Sequence, residues 1–285
     1  MPDRVLVDSD AILPGPVFTG PDEEAVAPDD PPDVTAVSRV TGETLEPPIA
    51  VAVEDAVGQY TVMLTAADHT AELDIIDLTW SGEAGGKLRT YTQTVEVVGG
   101  FYNSIPSLRT VSSLAARPIE QLRKYRTEIE DICEEARGTA YVPRVAIDRF
   151  TGGLIRLKHR HVQRILSVTV DGTAQDAARY EVDPVTRTVT TSNGGIWFSS
   201  DVAIAYVHGY PSPPAALVEA ERIFIRAKCT RDASDSNRNP SSVTNLATQE
   251  VYRYTTADPR FGRWTDIDEV NEKINAVPDE RVLVR

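Results

Sequence analysis

The chain has 285 residues, 41% hydrophobic and 25% charged, with 17 Gly and 19 Pro, an ordinary globular composition that excludes collagen-like and low-complexity chains. Two Cys exclude a disulfide-dense scaffold and a Cys-rich zinc module, and the longest apolar run, the six residues from Val202 to Val207, falls far short of a membrane span. The net charge of −14 is unevenly placed: residues 1–105 hold 19 acidic and 4 basic side chains, whereas residues 106–285 hold 24 and 25.

That division marks two modules with different surroundings. The acidic third should repel nucleic acid, and the neutral remainder can lie near DNA without gripping it. The first ten residues are acidic and carry no apolar signal core, so synthesis in a reducing cytoplasm is the expectation.

Residues 1–30 are rich in Pro, Asp and Glu and lead into Pro31-Pro32-Asp33; they read as a flexible acidic arm with little to bury. Residues 31–104 read as strands. Tyr60, Val62 and Leu64 share one face, as do Ile76, Leu78 and Trp80, and Tyr91, Val95 and Val97 follow the same alternation. Turn signals at Thr41-Gly42, Val57-Gly58, Ser81-Gly82 and Gly85-Gly86 separate the strands, which predicts a small β-sandwich with Trp80 in its core.

From Pro118 the period changes. Ile119, Leu122, Tyr125, Ile129, Ile132, Cys133 and Ala136 recur at helical spacing, and Gly138 follows as a stop. Cys133 sits on the apolar stripe and reads as a buried, inert thiol. Residues 144–207 return to strands, with Asp171-Gly172 as a favoured hairpin dipeptide. Pro213-Pro214 opens a second helix whose inner stripe is Leu217, Ala220, Phe224 and Ala227. Residues 232–262 read as a polar loop, followed by a short amphipathic helix near Asp266–Ala276. Val282, Leu283 and Val284 then form an apolar tip.

Motifs that carry chemistry are missing: the sequence has no phosphate-binding Gly loop, no HExxH, no CxxC and no GxSxG. His159 and His161 share a strand face if the segment is extended and would suit a metal, but no third ligand has the right spacing and Lys158, Arg160 and Arg164 repel a cation. Arg156, Lys158, Arg160 and Arg164 suit loose contact with a phosphate backbone, equally with a generic exposed strand. No aromatic interleaving accompanies them, which argues against base stacking.

The second half resembles the head–tail adaptor (connector) proteins of long-tailed bacteriophages. The matching order is a long helix ending Glu134-Glu-Ala-Arg-Gly-Thr-Ala-Tyr141-Val-Pro-Arg144, a strand pair, and Leu166-Ser-Val-Thr-Val-Asp-Gly172. A Tyr180-Glu-Val-Asp183 strand follows, then Val202-Ala-Ile-Ala-Tyr-Val-His-Gly-Tyr210-Pro-Ser-Pro-Pro214 leading into a helix. The likeness covers about 106–231, more loosely the rest to 285, and the strand-rich part before it looks like an immunoglobulin-like addition similar to those of some actinobacterial phages. The resemblance implies an α+β chain in four parts: an arm over 1–30, an immunoglobulin-like β-sandwich over 31–104, an adaptor domain of long helices and antiparallel hairpins over 105–231, and a loop with a C-terminal portal-binding arm over 232–285.

The implied role is structural, without catalysis or cofactor: a ring of about twelve copies under the portal vertex, in the virion neck, continuing the DNA channel. Its implied partners are other copies of the chain, the portal protein, a stopper or tail terminator protein, and duplex DNA touched without sequence-specific contact, with no membrane. Assembly is expected in the host cytoplasm. Phe261, Trp264, Ile267, Val270, Ile274, Val282, Leu283 and Val284 would form the portal-binding arm. Arg123, Lys124, Glu128, Glu130 and Glu134, opposite the helix stripe, would make lateral ring contacts, and Arg156, Lys158, Arg160 and Arg164 would face the DNA lumen. Two alternatives remain: an immunoglobulin-like binding module recognising a capsid, carbohydrate or cell-surface ligand, and a metal-assisted hydrolase using His159 and His161.

Overall fold

In the computed structural model the described residues are 2–19, 22–28, 30–49, 51–52, 59–191, 197–233, 242–245, 250–253, 257 and 259–279. They form two compact units, one of residues 1–100 with 143–209 and the other of 101–142 with 210–285. The expected 105–231 domain is therefore divided, with its central strands belonging to the same unit as the sandwich.

The first unit opens with β1 (Asp3–Leu6), β2 (Ala11–Pro14), β3 (Asp33–Ser38), β4 (Val51–Ala52), β5 (Thr61–Leu64), β6 (Asp74–Ala84) and β7 (Lys87–Val98). They build two sheets, ordered β1-β7-β6-β3 and β2-β5-β4, with β1 parallel to β7 and the other pairs antiparallel. The alternation read from sequence is the reason these strands face one another. Val62, Leu64, Ile76, Leu78, Trp80, Val95 and Val97 are all fully buried between the sheets, each contributing about 1.5–3 kcal/mol for the large aliphatic groups.

One expectation is corrected here. The arm over 1–30 contributes β1 and β2, and Val5, Leu13 and Phe18 enter the sandwich core. Asp3 and Pro14 are tied to the neighbouring strand by Gln93, whose amide donates to Asp3 Oδ2 at 2.7 Å and to the Pro14 carbonyl at 3.1 Å. Strands of four residues flanked by Pro and Asp are too short for a period to show, yet one apolar residue at the right register suffices to dock them.

The same unit continues with β8 (Arg144–Gly153), β9 (Val162–Val170), β10 (Thr173–Gln175), β11 (Tyr180–Val182), β12 (Val189–Thr191) and β13 (Trp197–His208). β10-β9-β13-β8 form an antiparallel sheet, and β11 pairs with β12. Asp171 and Gly172 join β9 to β10 with φ of 48° and 77°, both left-handed as a two-residue hairpin of this type requires. Ala146, Val168, Val202, Ile204 and Tyr206 line one face of the sheet and pack with Ile155, Leu157 and Val189. A buried ion triad runs through this unit: Glu96 on β7 accepts from Arg4 on β1 at 3.3 Å and from Arg144 Nε on β8 at 2.7 Å.

The second unit holds α1 (Ile105–Arg109), α2 (Ile119–Arg137), α3 (Ala215–Ala233), β14 (Ser242–Asn245), β15 (Glu250–Arg253) and α4 (Asp268–Asn275). Gly138, at φ 70°, ends α2 as its left-handed cap, and its N–H reaches the Glu134 carbonyl at 2.7 Å. The predicted stripes of α2 and α3 are buried against one another, and Ile267, Val270 and Ile274 of the C-terminal segment join the same core. The entry to α4 is locked from both sides: Thr265 N–H donates to Asn271 Oδ1 at 2.8 Å, and Asn271 Nδ2 donates back to the Thr265 carbonyl at 3.0 Å. No helix among the described residues is long and apolar enough to cross a membrane.

Candidate functional site

The basic segment identified from sequence leaves β8 at Gly153 and reaches β9 at Val162. Ile155 and Leu157 are buried while Arg156 and Lys158 are exposed, so the alternation that sends two apolar groups into the core sends two cations outward. The segment runs beside the β11–β12 hairpin. Arg156 bridges Thr188, Leu157 N–H donates to the Arg187 carbonyl at 3.0 Å, and Val189 N–H donates to the Ile155 carbonyl at 2.9 Å.

These bonds bring Arg187 to the cluster, a residue the sequence reading did not single out. Its Nη1 donates to the Lys158 carbonyl at 2.7 Å. Partial burial, then the charges of Arg156 and Arg160, hold its guanidinium below the usual range, so both lie within electrostatic reach of Arg187. Arg164 lies apart from this loop, exposed on β9.

Asp148, on the inward face of β8, anchors the segment from below. It is buried, accepts from the Lys158 N–H at 2.8 Å and from the Tyr206 hydroxyl at 2.8 Å, and lies 3.4 Å from Lys158 Nζ. Tyr206 in turn accepts from the His159 N–H at 3.2 Å. Burial, then its bond to Asp148 over that from His159, pushes the Tyr206 phenol well up, so it stays a donor. The carboxylate therefore fixes the backbone from which the cations project.

The paired-histidine geometry is not formed. The chain bends over 158–161, and His161 takes a left-handed φ of 53°, so the shared strand face on which the metal reading rested does not exist. His159 instead stacks on His208, with ring centroids 4.1 Å apart and planes at 22°. Burial, then His159 and Arg144, lower the His208 pKa to about 2, and burial lowers that of His159 as well. Among the described residues no group of three or more His, Cys, Asp or Glu is placed to hold a metal ion.

The residues expected on the outer face of α2 divide. Lys124 is exposed and Arg123 half-buried. Glu128 lies 3.2 Å from Lys228 of α3 in the same chain. Glu134 is half-buried. Glu130 corrects the expectation: it is 1% exposed, and its Oε1 accepts the Tyr102 N–H at 2.9 Å. It faces Glu221 of α3, also fully buried, which accepts from Asn103 Nδ2 at 2.6 Å. Burial, then the Glu130 charge, push the Glu221 carboxyl well above its usual value. A helix enclosed by α3 on one side and residues 101–103 on another buries more than its apolar stripe.

The C-terminal expectation is corrected in the same sense. Ile267, Val270 and Ile274 are at most 1% exposed and form part of their own unit's core, so as folded they offer no surface to a partner. Trp264 packs against that core and donates through Nε1 to Asn275 Oδ1 at 3.3 Å. Phe261 belongs to a short 3-10 turn at Pro259–Phe261. Val282, Leu283 and Val284 lie outside the described residues.

Two tyrosines from the segments quoted for the adaptor resemblance, Tyr141 and Tyr210, meet in the second unit. The Tyr141 and Tyr210 rings stack with centroids 5.6 Å apart and planes at 10°, and the Tyr210 N–H donates to the Ala140 carbonyl at 3.0 Å. Tyr102 closes the group, its ring edge-on to Tyr141 at 6.4 Å.

No protein-family model matches the chain, and no curated protein matches it. Similar solved structures include the neck of an empty gene transfer agent particle, computed with C6 symmetry, at 14% identity and a TM-score of 0.37, covering 51% of this chain and 84% of that one. A second is from the virion of a native gene transfer agent particle, at 15% identity and a TM-score of 0.40, covering 65% and 93%. Both scores lie below the level from which a shared fold follows.

Proposed function

We propose that the chain is a structural virion protein of a tailed-phage-type neck: a head-to-tail adaptor that forms a ring of about twelve copies between the portal and the tail-side stopper or terminator. The observation that carries this reading is the junction of Tyr141 with Tyr210. The Tyr141-Val-Pro-Arg144 and His208-Gly-Tyr210…Pro213-Pro214 steps are nearly seventy residues apart in sequence, and in combination they are the more specific part of the resemblance. In the fold the Tyr141 and Tyr210 rings stack, and the Tyr210 N–H donates to the carbonyl of Ala140, the residue just before the first step. They are thus two halves of one structural feature, as a shared architecture requires. Between them runs the sheet that presents the basic loop, and duplex DNA passing along the channel is the partner this loop suits.

The deciding measurement is mass photometry of the full chain, alone and mixed with the portal protein encoded beside its gene. A shift of the portal peak by about twelve copies of the 31.2 kDa chain is expected. An unchanged portal peak at every salt concentration would overturn the adaptor role.

The second reading, a binding sandwich, is favoured by one observation. Ile12 and Met63 are cross-strand partners on the outer side of the β2-β5-β4 sheet, 59% and 41% exposed. In that case Ile12→Glu with Met63→Glu abolishes ligand capture and leaves portal binding untouched.

A further inference from the structure

We propose that Arg187 completes a four-cation ridge with Arg156, Lys158 and Arg160, and that this ridge takes the phosphate backbone of duplex DNA. The assignment rests on the adaptor reading for the presence of DNA, and on the geometry for the ridge itself.

Charge is segregated to an unusual degree along this part of the chain. From Arg149 to Val170 there are five basic residues and no carboxylate, in a protein whose net charge is −14. The fold adds to that cluster. It folds the β11–β12 hairpin against the loop and brings in Arg187, about thirty residues further on in sequence, through its bond to the Lys158 carbonyl. Two carboxylates lie beside the ridge. Asp148, buried beneath it, lies 3.4 Å from Lys158 Nζ and offsets part of that one charge, while Asp183, in the hairpin turn, is committed to the Val185 and Thr186 N–H groups at 2.8 and 2.9 Å.

The backbone at Arg187 points the same way. Its φ is 63°, a left-handed conformation that Gly or Asn adopts far more readily than Arg. The turn is otherwise ordinary: Arg187 N–H donates to the Asp183 carbonyl at 2.7 Å, and Asp183 N–H to the Thr188 carbonyl at 3.0 Å. Gly would close it with less strain. An arginine in that place costs stability that its side chain's role must offset.

The partner's chemistry follows from the groups. Three guanidiniums and one ammonium side by side call for a dense anion that guanidinium can grip in bidentate fashion, which phosphate provides. Duplex DNA offers a charge about every 1.7 Å along its axis. The acidic sandwich of a second copy is a poorer match, because several of its carboxylates already have partners: Asp77 with Arg39, Glu96 with Arg4 and Arg144, and Asp10 with the Ala66 N–H. No Phe, Tyr or Trp lies between Arg156 and Arg160 in sequence, so the proposed contact positions the backbone and reads no sequence.

The test uses the full chain and a fluorescein-labelled duplex of arbitrary sequence, followed by anisotropy across a salt series. Binding by the native protein should weaken with salt at a log–log slope of about −3 to −4 for up to four phosphate contacts. Arg187→Gly should make the slope shallower by about 1 while the melting temperature holds or rises, and Arg187→Lys should keep the native slope. Arg156→Gln, at an exposed position, should also make it shallower by about 1 and serves if the glycine variant does not fold. Absence of duplex binding at low salt, or an unchanged slope in Arg187→Gly and Arg156→Gln, overturns the proposal. So does salt-sensitive self-association that Arg187→Gly abolishes in a protein that ignores DNA, which would assign the ridge to a second copy. A portal peak that still shifts in that case leaves the adaptor reading standing.

Discussion

An added Cβ at Gly15 would collide with the Trp80 ring, which is fully buried and donates through Nε1 to Gln93 at 3.2 Å. Neither partner has room to retreat. Gly15→Ala should therefore cost about 1–3 kcal/mol as overpacking, read as a lowered midpoint in urea. Gly82→Ala, where the nearest atom is 3.2 Å away on Phe18, should cost distinctly less. His208 gives a residue-scale prediction about pH. Its folded pKa, about 2, lies below the unfolded value near 6.5, so between those values the unfolded chain binds the extra proton. Stability is complete above about pH 6.5 and falls on acidification, by about 1–2 kcal/mol near pH 5. Urea midpoints across this range should show that slope, and His208→Gln should flatten it. An equal slope in the variant would assign the effect to another group.

At the scale of elements, the Glu96 triad joins β1, β7 and β8. Burial opposes the charge on Glu96, but Arg144 and Arg4 outweigh it and hold the carboxyl below its usual value. Its contribution is therefore present above about pH 4.5 and is lost below, in a window more acidic than that of His208. Glu96 is the shared partner: Arg144→Ala still leaves it paired with Arg4, whereas removing the carboxylate strands two guanidiniums. Glu96→Ala should cost about 3–5 kcal/mol, read as a lowered urea midpoint, whereas a fully apolar replacement of all three groups should be far milder.

What could be read in advance follows the same division. Strands of adequate length and the stripes of α2 and α3 were legible, because period 2 and period 3.6 are local signals. β1 and β2 were not, being four residues each among Pro and Asp. The helix over 268–275 was legible as a helix, but the destination of Ile267, Val270 and Ile274 was not, since an apolar stripe looks the same whether it meets its own core or a partner. Arg187 was invisible for a related reason: a hairpin, not the sequence, places it beside Lys158.

At the scale of the whole molecule, the place of α4 changes how portal binding should be tested. Deleting residues 263–285 would remove Ile267, Val270 and Ile274 from the core, and losses of about 2–5 kcal/mol for each large apolar group would unfold the second unit. Failure of such a protein to bind anything would say little about an arm. The informative deletion starts after Asp279 and removes only the segment with Val282, Leu283 and Val284. That protein should melt within about a degree of the native chain, because α4 and its Thr265–Asn271 closure are kept. If an apolar tip adds to a portal sheet, the shortened chain should no longer shift the portal peak in mass photometry, though it still binds duplex DNA through the ridge. A full shift by the shortened chain would move the portal contact to another surface, and Lys124, exposed on α2, would be the next position to reverse in charge.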